Sequence, residues 1–335
     1  MNVRRLIPTA ALSCAALLGL TALTACGAGG AGDGRKDGRL DVVASFYPLQ
    51  FLTQQIGGDH VAVTSLTKPG VEPHDLEISA RQTAKLNDAD AVVYLKGLQP
   101  AVDAAVSQAD LKTKIDASTL TSMEKHGNEV GGHAAAHDSS SGEEDHGDDS
   151  SHSHRHSAAG DDPHIWLDPV KYAEVARGVG AALAKADPAH AADYRTNTDT
   201  LVGKLDVLDK EYAAALKNSK ALTSRVFITT HAAFGYLAER YGLTEEAING
   251  LDPDSEPSPA RIRALQKMAK ADGVTTVFYE TLVSDKTAKT LASDASLKTD
   301  VLDPLEGITD RSKGTDYFSV MRSNLTALTA ALTAK

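Results

Sequence analysis

Residues 170–217 read VKYAEVARGVGAALAKADPAHAADYRTNTDTLVGKLDVLDKEYAAALK, with hardly a strand signal anywhere in them. VKYAEVARGVGAALAKA (170–186) predicts one amphipathic helix. AHAADYRTNTDTLVGKLDVLDKEYAAAL (189–216) predicts a second, because Leu201, Leu205, Leu208 and Tyr212 recur at intervals of three and four. Asp187-Pro188 separates the two, and proline is at home in the first turn of a helix. The second helix could run about 30 residues, or about 45 Å at about 1.5 Å per residue. A helix of that length in a globular chain is long enough to bridge two lobes.

On both sides of this segment short apolar runs alternate with helical stretches. Before it, LDVVASF (40–46), HVAVTSL (60–66) and DAVVYL (90–95) read as strands, with helices through 48–56 and 79–87 between them. DAVVYL is continuously apolar, as in a strand buried on both faces. After it, RVFITT (225–230), TTVFY (275–279) and TDVL (299–302) read as strands. Helices are expected over 232–241, 258–272, 285–295 and 317–333. The series predicts an α/β fold with mainly parallel sheets in two βα lobes.

The N-terminus reads as a targeting segment. Arg4 and Arg5 precede an apolar run over 6–23 that closes on Leu23-Thr24-Ala25-Cys26. That last motif resembles the lipobox of bacterial lipoproteins, in which the cysteine is lipidated and becomes the first residue of the mature chain. The expected organisation is a lipoprotein signal peptide (1–25), a flexible linker (26–39) and an N-terminal βα lobe (40–187). A linking helix (188–218) and a C-terminal βα lobe (219–335) follow. The only cysteines are Cys14, within the apolar run, and Cys26. Disulfides and thiolate-held zinc are therefore excluded, and a metal site must use His, Asp and Glu. The formal charge of −11 argues against nucleic acid and is compatible with attracting cations.

Seven of the twelve histidines, His126, His133, His137, His146, His152, His154 and His156, fall in a stretch that otherwise holds little but Gly, Ala, Ser, Asp and Glu. With no hydrophobic run, residues 124–162 are expected to form a disordered His-rich loop that offers auxiliary, low-affinity metal ligands. Flexible ligands bind weakly because each contact must order more chain, so a tight site must lie elsewhere.

In open α/β sheets ligands collect at the carboxyl ends of strands. His74 follows strand 60–66 and His231 follows strand 225–230. His164 stands where ordered apolar residues return, and Asp303 follows strand 299–302. Asp303 could instead cap a turn before Pro304, and Glu280, one residue past strand 275–279, is its rival as an acidic ligand. His60 and His190 read as a strand-edge and an exposed helix residue.

PHDLE (73–77), DPHIWLDP (162–169), THAAFGYLAERYGL (230–243) and the run from VFYETLVSDKTAKTLA to VLDPL (277–305) resemble the metal-binding lipoproteins of zinc and manganese ABC importers. The resemblance covers about residue 42 to the C-terminus. It implies two βα lobes joined by one long rigid helix, with the metal in the cleft between them. Carried over, it makes His74, His164 and His231 the histidine ligands and Asp303 the acidic fourth. Manganese-specific members typically have Glu where His231 stands, and zinc-specific members carry a His-rich loop between the first and second ligands. Some zinc members have a ligating Glu just before the first His, where this chain has Pro73, with Glu72 one step away.

Three imidazoles and a carboxylate suit tetrahedral Zn²⁺. Together with that ligand chemistry, the resemblance implies an extracytoplasmic, membrane-anchored, monomeric protein that captures Zn²⁺ for an ABC permease and its cytoplasmic ATPase. The alternatives are a metal-buffering surface protein or adhesin, and a zinc metallohydrolase. The last lacks H-E-x-x-H, and no two of the candidate histidines share a helix face.

Overall fold

The computed structural model describes residues 38–127, 129–130 and 161–334. The N-terminal lobe is built on strands β1 (Leu40–Ala44), β2 (Val61–Ser65), β3 (Ala91–Tyr94) and β4 (Thr113–Asp116), all parallel, in the order β2-β1-β3-β4. Helices α1 (Tyr47–Gly57), α2 (Ala80–Asn87) and α3 (Pro100–Gln108) connect them. Alternation along the strands decides which face each side chain joins. Val42, Ala44, Ala91 and Val93 face the main core, while Val43 and Val92 face a smaller one under α2 and α3.

The C-terminal lobe repeats the plan. Strands β6 (Val226–Thr229), β7 (Thr244–Ala247), β8 (Thr276–Tyr279) and β9 (Lys298–Val301) run parallel in the order β7-β6-β8-β9. A two-residue strand, β5 (Glu129–Val130), adds antiparallel to β7. Helices α6 (Gly235–Tyr241), α7 (Pro259–Ala271), α8 (Lys286–Ala295) and α9 (Tyr317–Thr333) complete the lobe. Phe227 and Phe278 face the main core; Ile228 and Val277 face a second, outer one.

Between the sheets lie α4 (Pro169–Ala186) and α5 (Ala191–Tyr212). Their apolar residues join those of α1, α9 and both sheets in one continuous core, from Leu40 to Leu332. The linking helix touches both lobes. Near its start Asn197 Nδ2 donates to Ile56 O at 3.0 Å, and at its end the Tyr212 hydroxyl donates to Met321 O at 2.7 Å. The helix is shorter than the sequence reading: Pro188–His190 forms a separate 3₁₀ turn and Ala213–Lys217 a wider π turn.

The sequence reading missed α3, β4, β5 and β7. TKID and TEEA carry charges where a strand signal needs apolar residues, and their place is fixed by sheet pairing instead. Glu245 in β7 is fully buried, with Thr229 Oγ1 and the Phe234 amide donating to its Oε1. Burial raises its carboxyl to about 7. Cys26, His133, His137, His146, His152, His154 and His156 lie outside the described residues.

Helices α4 and α5 approach closely at Gly180, where an added Cβ would lie 2.1 Å from Thr198 Oγ1. Gly180→Leu should overpack this contact and destabilise the protein by about 1–3 kcal/mol in denaturant unfolding. A change below about 0.5 kcal/mol would contradict close packing there.

Candidate metal centre

Four loops bring four side chains to one point. His74 lies in the loop between β2 and α2, and His164 immediately before the 3₁₀ turn Ile165–Leu167. His231 lies two residues past β6, and Glu306 in the loop between β9 and α9. One ligand atom from each lies within 4.8 Å of the others. Glu306 Oε1 is 2.9 Å from His74 Nε2, 3.2 Å from His164 Nε2 and 3.6 Å from His231 Nε2. The two buried imidazoles meet at 3.3 Å between their Nε2 atoms.

The other ring nitrogens are held from behind. His164 Nδ1 lies 2.7 Å from Asp162 Oδ1, and His231 Nδ1 lies 2.7 Å from Glu280 Oε1. The Thr230 hydroxyl donates to the same Glu280 oxygen. A carboxylate on Nδ1 turns Nε2 into the cleft and raises its basicity. His74 is positioned through its backbone, whose N–H donates to Glu72 Oε1 at 2.9 Å. The side chains of His164, His231 and Glu306 are 0% exposed and that of His74 is 11%, so His74 marks the open side.

The acidic member of this cluster is Glu306, where the sequence reading expected Asp303. Asp303 is buried but works on the loop: its Oδ1 accepts the Leu305 amide at 2.9 Å and its Oδ2 the Thr281 hydroxyl at 3.2 Å. Asn324 clamps its backbone, accepting from Asp303 N and donating to Asp303 O. Asp303 therefore caps the turn, the alternative role its place before Pro304 suggested. Glu280, the rival, stands behind His231 and outside the cluster.

The turn carries Leu305 at a φ of 60°, which a branched L residue rarely adopts. Trp166 Nε1 donates to Pro304 O at 2.7 Å across the cleft and fixes the turn against the N-terminal lobe. Glu306 was visible in the sequence only as a second acid in the same loop; nothing in DPLE says which acid faces inward.

Charge is balanced inside the cleft. Burial alone would raise the Glu306 carboxyl, but His74, then His164 and His231, hold it well below the usual carboxylate range. Burial alone would likewise neutralise the imidazoles. Asp162 and Glu306 outweigh it at His164, and Glu280 and Glu306 at His231, so both are raised. Burial and then the charge of Glu306 push Glu72 up to about 9, which leaves it protonated at neutral pH. Glu306 Oε2 is buried without a hydrogen-bond partner, an acceptor such as a cation would use.

His126 belongs to the fold, which corrects its place in a disordered loop over 124–162. It is buried, and the backbone N–H of Asp162 donates to Glu124 O at 2.7 Å, tying both stems of the His-rich segment together. His60 and His190 stack on each other at 3.9 Å, away from the cleft cluster.

Two βα lobes share a helical core and turn three imidazoles and a carboxylate to one point, an arrangement of the metal-binding class. The chain belongs to the family of the zinc-uptake complex component A, periplasmic (ZnuA), whose profile matches residues 42–331. It is 39% identical over 298 residues to the zinc-binding protein AdcA of Streptococcus pyogenes, covering 87% of this chain and 56% of that protein. The chain thus spans about half the length of the AdcA relatives it matches. With the high-affinity zinc uptake system protein ZnuA of Bacillus subtilis it shares 35% identity over 319 residues, 91% of each chain. The Zn(II)-bound ZnuA-like domain of Streptococcus pneumoniae AdcA superposes with a TM-score of 0.69 at 33% identity, over 89% of this chain and all of that one.

The raised imidazoles and lowered Glu306 set the acid–base behaviour of the metal-stripped protein. Glu306 contributes stability above its unfolded value near 4.5 that is lost as pH falls through its lower folded value. His164 and His231 contribute stability below about 6.5 that is lost as pH rises through their raised values. The stability difference between stripped wild type and His231→Gln should therefore be largest between about pH 4.5 and 6.5 and shrink at higher pH. Denaturant unfolding across this range checks it; a difference that grows with rising pH would contradict the charge pattern.

Proposed function

We propose that this protein captures Zn²⁺ outside the cytoplasm and delivers it to the permease of an ABC importer driven by a cytoplasmic ATPase. Lipidation of Cys26 would hold it at the membrane, and it would work as a monomer without catalysing a reaction. Among the described residues no helix is long and apolar enough to cross a membrane.

The observation that carries this reading is the convergence of three Nε2 atoms on the Glu306 carboxylate. Zn²⁺ as substrate would be held by His74, His164, His231 and Glu306. Three nitrogens and one carboxylate oxygen suit it better than Mn²⁺, which prefers more oxygen and a larger shell. The zinc bound by the relatives named above supports the same choice. Four protein donors also fill a tetrahedral shell and leave no position for a reactive water, which disfavours the hydrolase alternative.

Capture begins at His74, the exposed member, and ends with the protons of His164 and His231 displaced and Glu306 exchanging its imidazole partners for the ion. The core shared by both lobes resists wide opening, so release would come from the loops carrying His74 and Glu306.

Zinc titration of the mature protein, followed by calorimetry and by the fluorescence of the single tryptophan, Trp166, tests this. Its ring is 5.2 Å from that of His164. Micromolar or tighter 1:1 binding is expected, and its absence sinks the proposal. Glu306→Gln should weaken this binding by about 100-fold or more, and Asp303→Asn by less than about 10-fold. The reverse ranking would return the fourth ligand to Asp303.

Proton competition gives a separate prediction. The metal-free cleft holds protons on His164 and His231 that zinc must expel. Affinity should therefore fall steadily from about pH 7.5 to about pH 5.5. A flat profile would contradict ligation by these imidazoles.

A further inference from the structure

At the root of the His-rich segment Glu124 and Glu239 line a cavity of about 390 Å³, together with Lys171, Tyr236 and Arg240 among others, and His126 lies against them. One ligand atom each from Glu124, His126 and Glu239 lies within 4.8 Å of the others. His126 Nε2 is 3.1 Å from Glu239 Oε2, while its Nδ1 is 2.7 Å from Asp162 Oδ2.

The imidazole is held in a fitted place. Its ring lies edge-on to Tyr236 at 4.6 Å, and a Cβ on Gly235 would come within 2.6 Å of it. Only glycine at that position leaves the room. Lys171 Nζ, anchored on Ser122, donates to Glu124 Oε1 at 2.6 Å and holds that carboxylate beside Glu239, with which it also shares a side-chain hydrogen bond.

This is the same construction as at His164: a buried imidazole whose Nδ1 rests on a carboxylate and whose Nε2 points at another. The supporting carboxylate is even the same residue, since Asp162 gives Oδ1 to His164 and Oδ2 to His126. We propose that Glu124, His126 and Glu239 form a second, weaker zinc site at the root of the His-rich segment, with Asp162 orienting one histidine of each site. The inference rests on reading the cleft as a zinc site.

One imidazole and two partly exposed carboxylates bind less tightly than three imidazoles and a buried one, and three ligands leave a position open to water. An ion there is separated from the cleft by a single carboxylate. The site therefore stands between the histidines of the segment and the cleft.

The test uses the full mature chain with His133, His137, His146, His152, His154 and His156 all replaced by Asn, titrated with zinc by calorimetry. Two equivalents are expected, one tight and one weaker. In that background Glu239→Gln or His126→Gln should remove only the weaker step, and Gly235→Ala should weaken it without altering any ligand. Asp162→Asn should weaken both steps by about 10–100-fold. Thermal unfolding of each variant checks that it folds. A single equivalent in the Asn-substituted parent, or a weaker step that survives both Glu239→Gln and His126→Gln, overturns the proposal. Absence of the tight step alone would instead sink the reading of the cleft.

Discussion

Glu306 Oε1 lies within hydrogen-bonding distance of two imidazoles and 3.6 Å from a third, and everything else in the structure serves to keep those four groups together. They come from loops in both lobes, so any freedom between the lobes would scatter them. The constraint is met by one continuous apolar core running from β1 through α4 and α5 to α9. The linking helix is part of that core and not a free strut, because its apolar face packs on α1, α4 and α9 along its length. Polar contacts across the cleft add to it. Trp166 Nε1 donates to Pro304 O and the Tyr317 hydroxyl to Trp166 O, both at short distance.

Burying imidazoles and carboxylates together is costly unless each charge meets a partner. The cleft meets this by alternating them. Asp162 and Glu280 stand behind His164 and His231, and Glu306 stands between their inward nitrogens. Without an ion the inward nitrogens hold protons, and with one they hold the ion. On the proposed reading a cation would take the place of those protons while the carboxylates behind keep their partners. This explains how a metal-binding cleft can be preassembled without collapsing under its own repulsion.

Much of this was legible in the sequence, and the reasons differ by residue. The βα alternation and the helical segment carry strong period signals, since their apolar faces must meet a core. His74, His164 and His231 could be placed because each follows or precedes a well-marked element. Glu306 could not. Its position depends on a turn in which Leu305 takes a left-handed backbone at a cost of about 1–2 kcal/mol. That cost is offset by burying the leucine and by bonding its amide to Asp303. Long-range packing against Trp166 decides the turn, and no local pattern encodes it. The edge strands β4 and β5 and the charged strand β7 were hidden for a related reason, because pairing rather than composition makes them strands.

His126 shows how a compositional reading can misplace one residue. By composition it belongs with the other histidines of the segment. The fold takes it out of that company, because Gly235 leaves a notch, Tyr236 supplies a wall and Asp162 a partner. Tyr236 also ties the stems: its hydroxyl donates to Asp162 O and accepts the Glu124 amide. The segment therefore begins and ends on residues whose side chains touch His164 or His126.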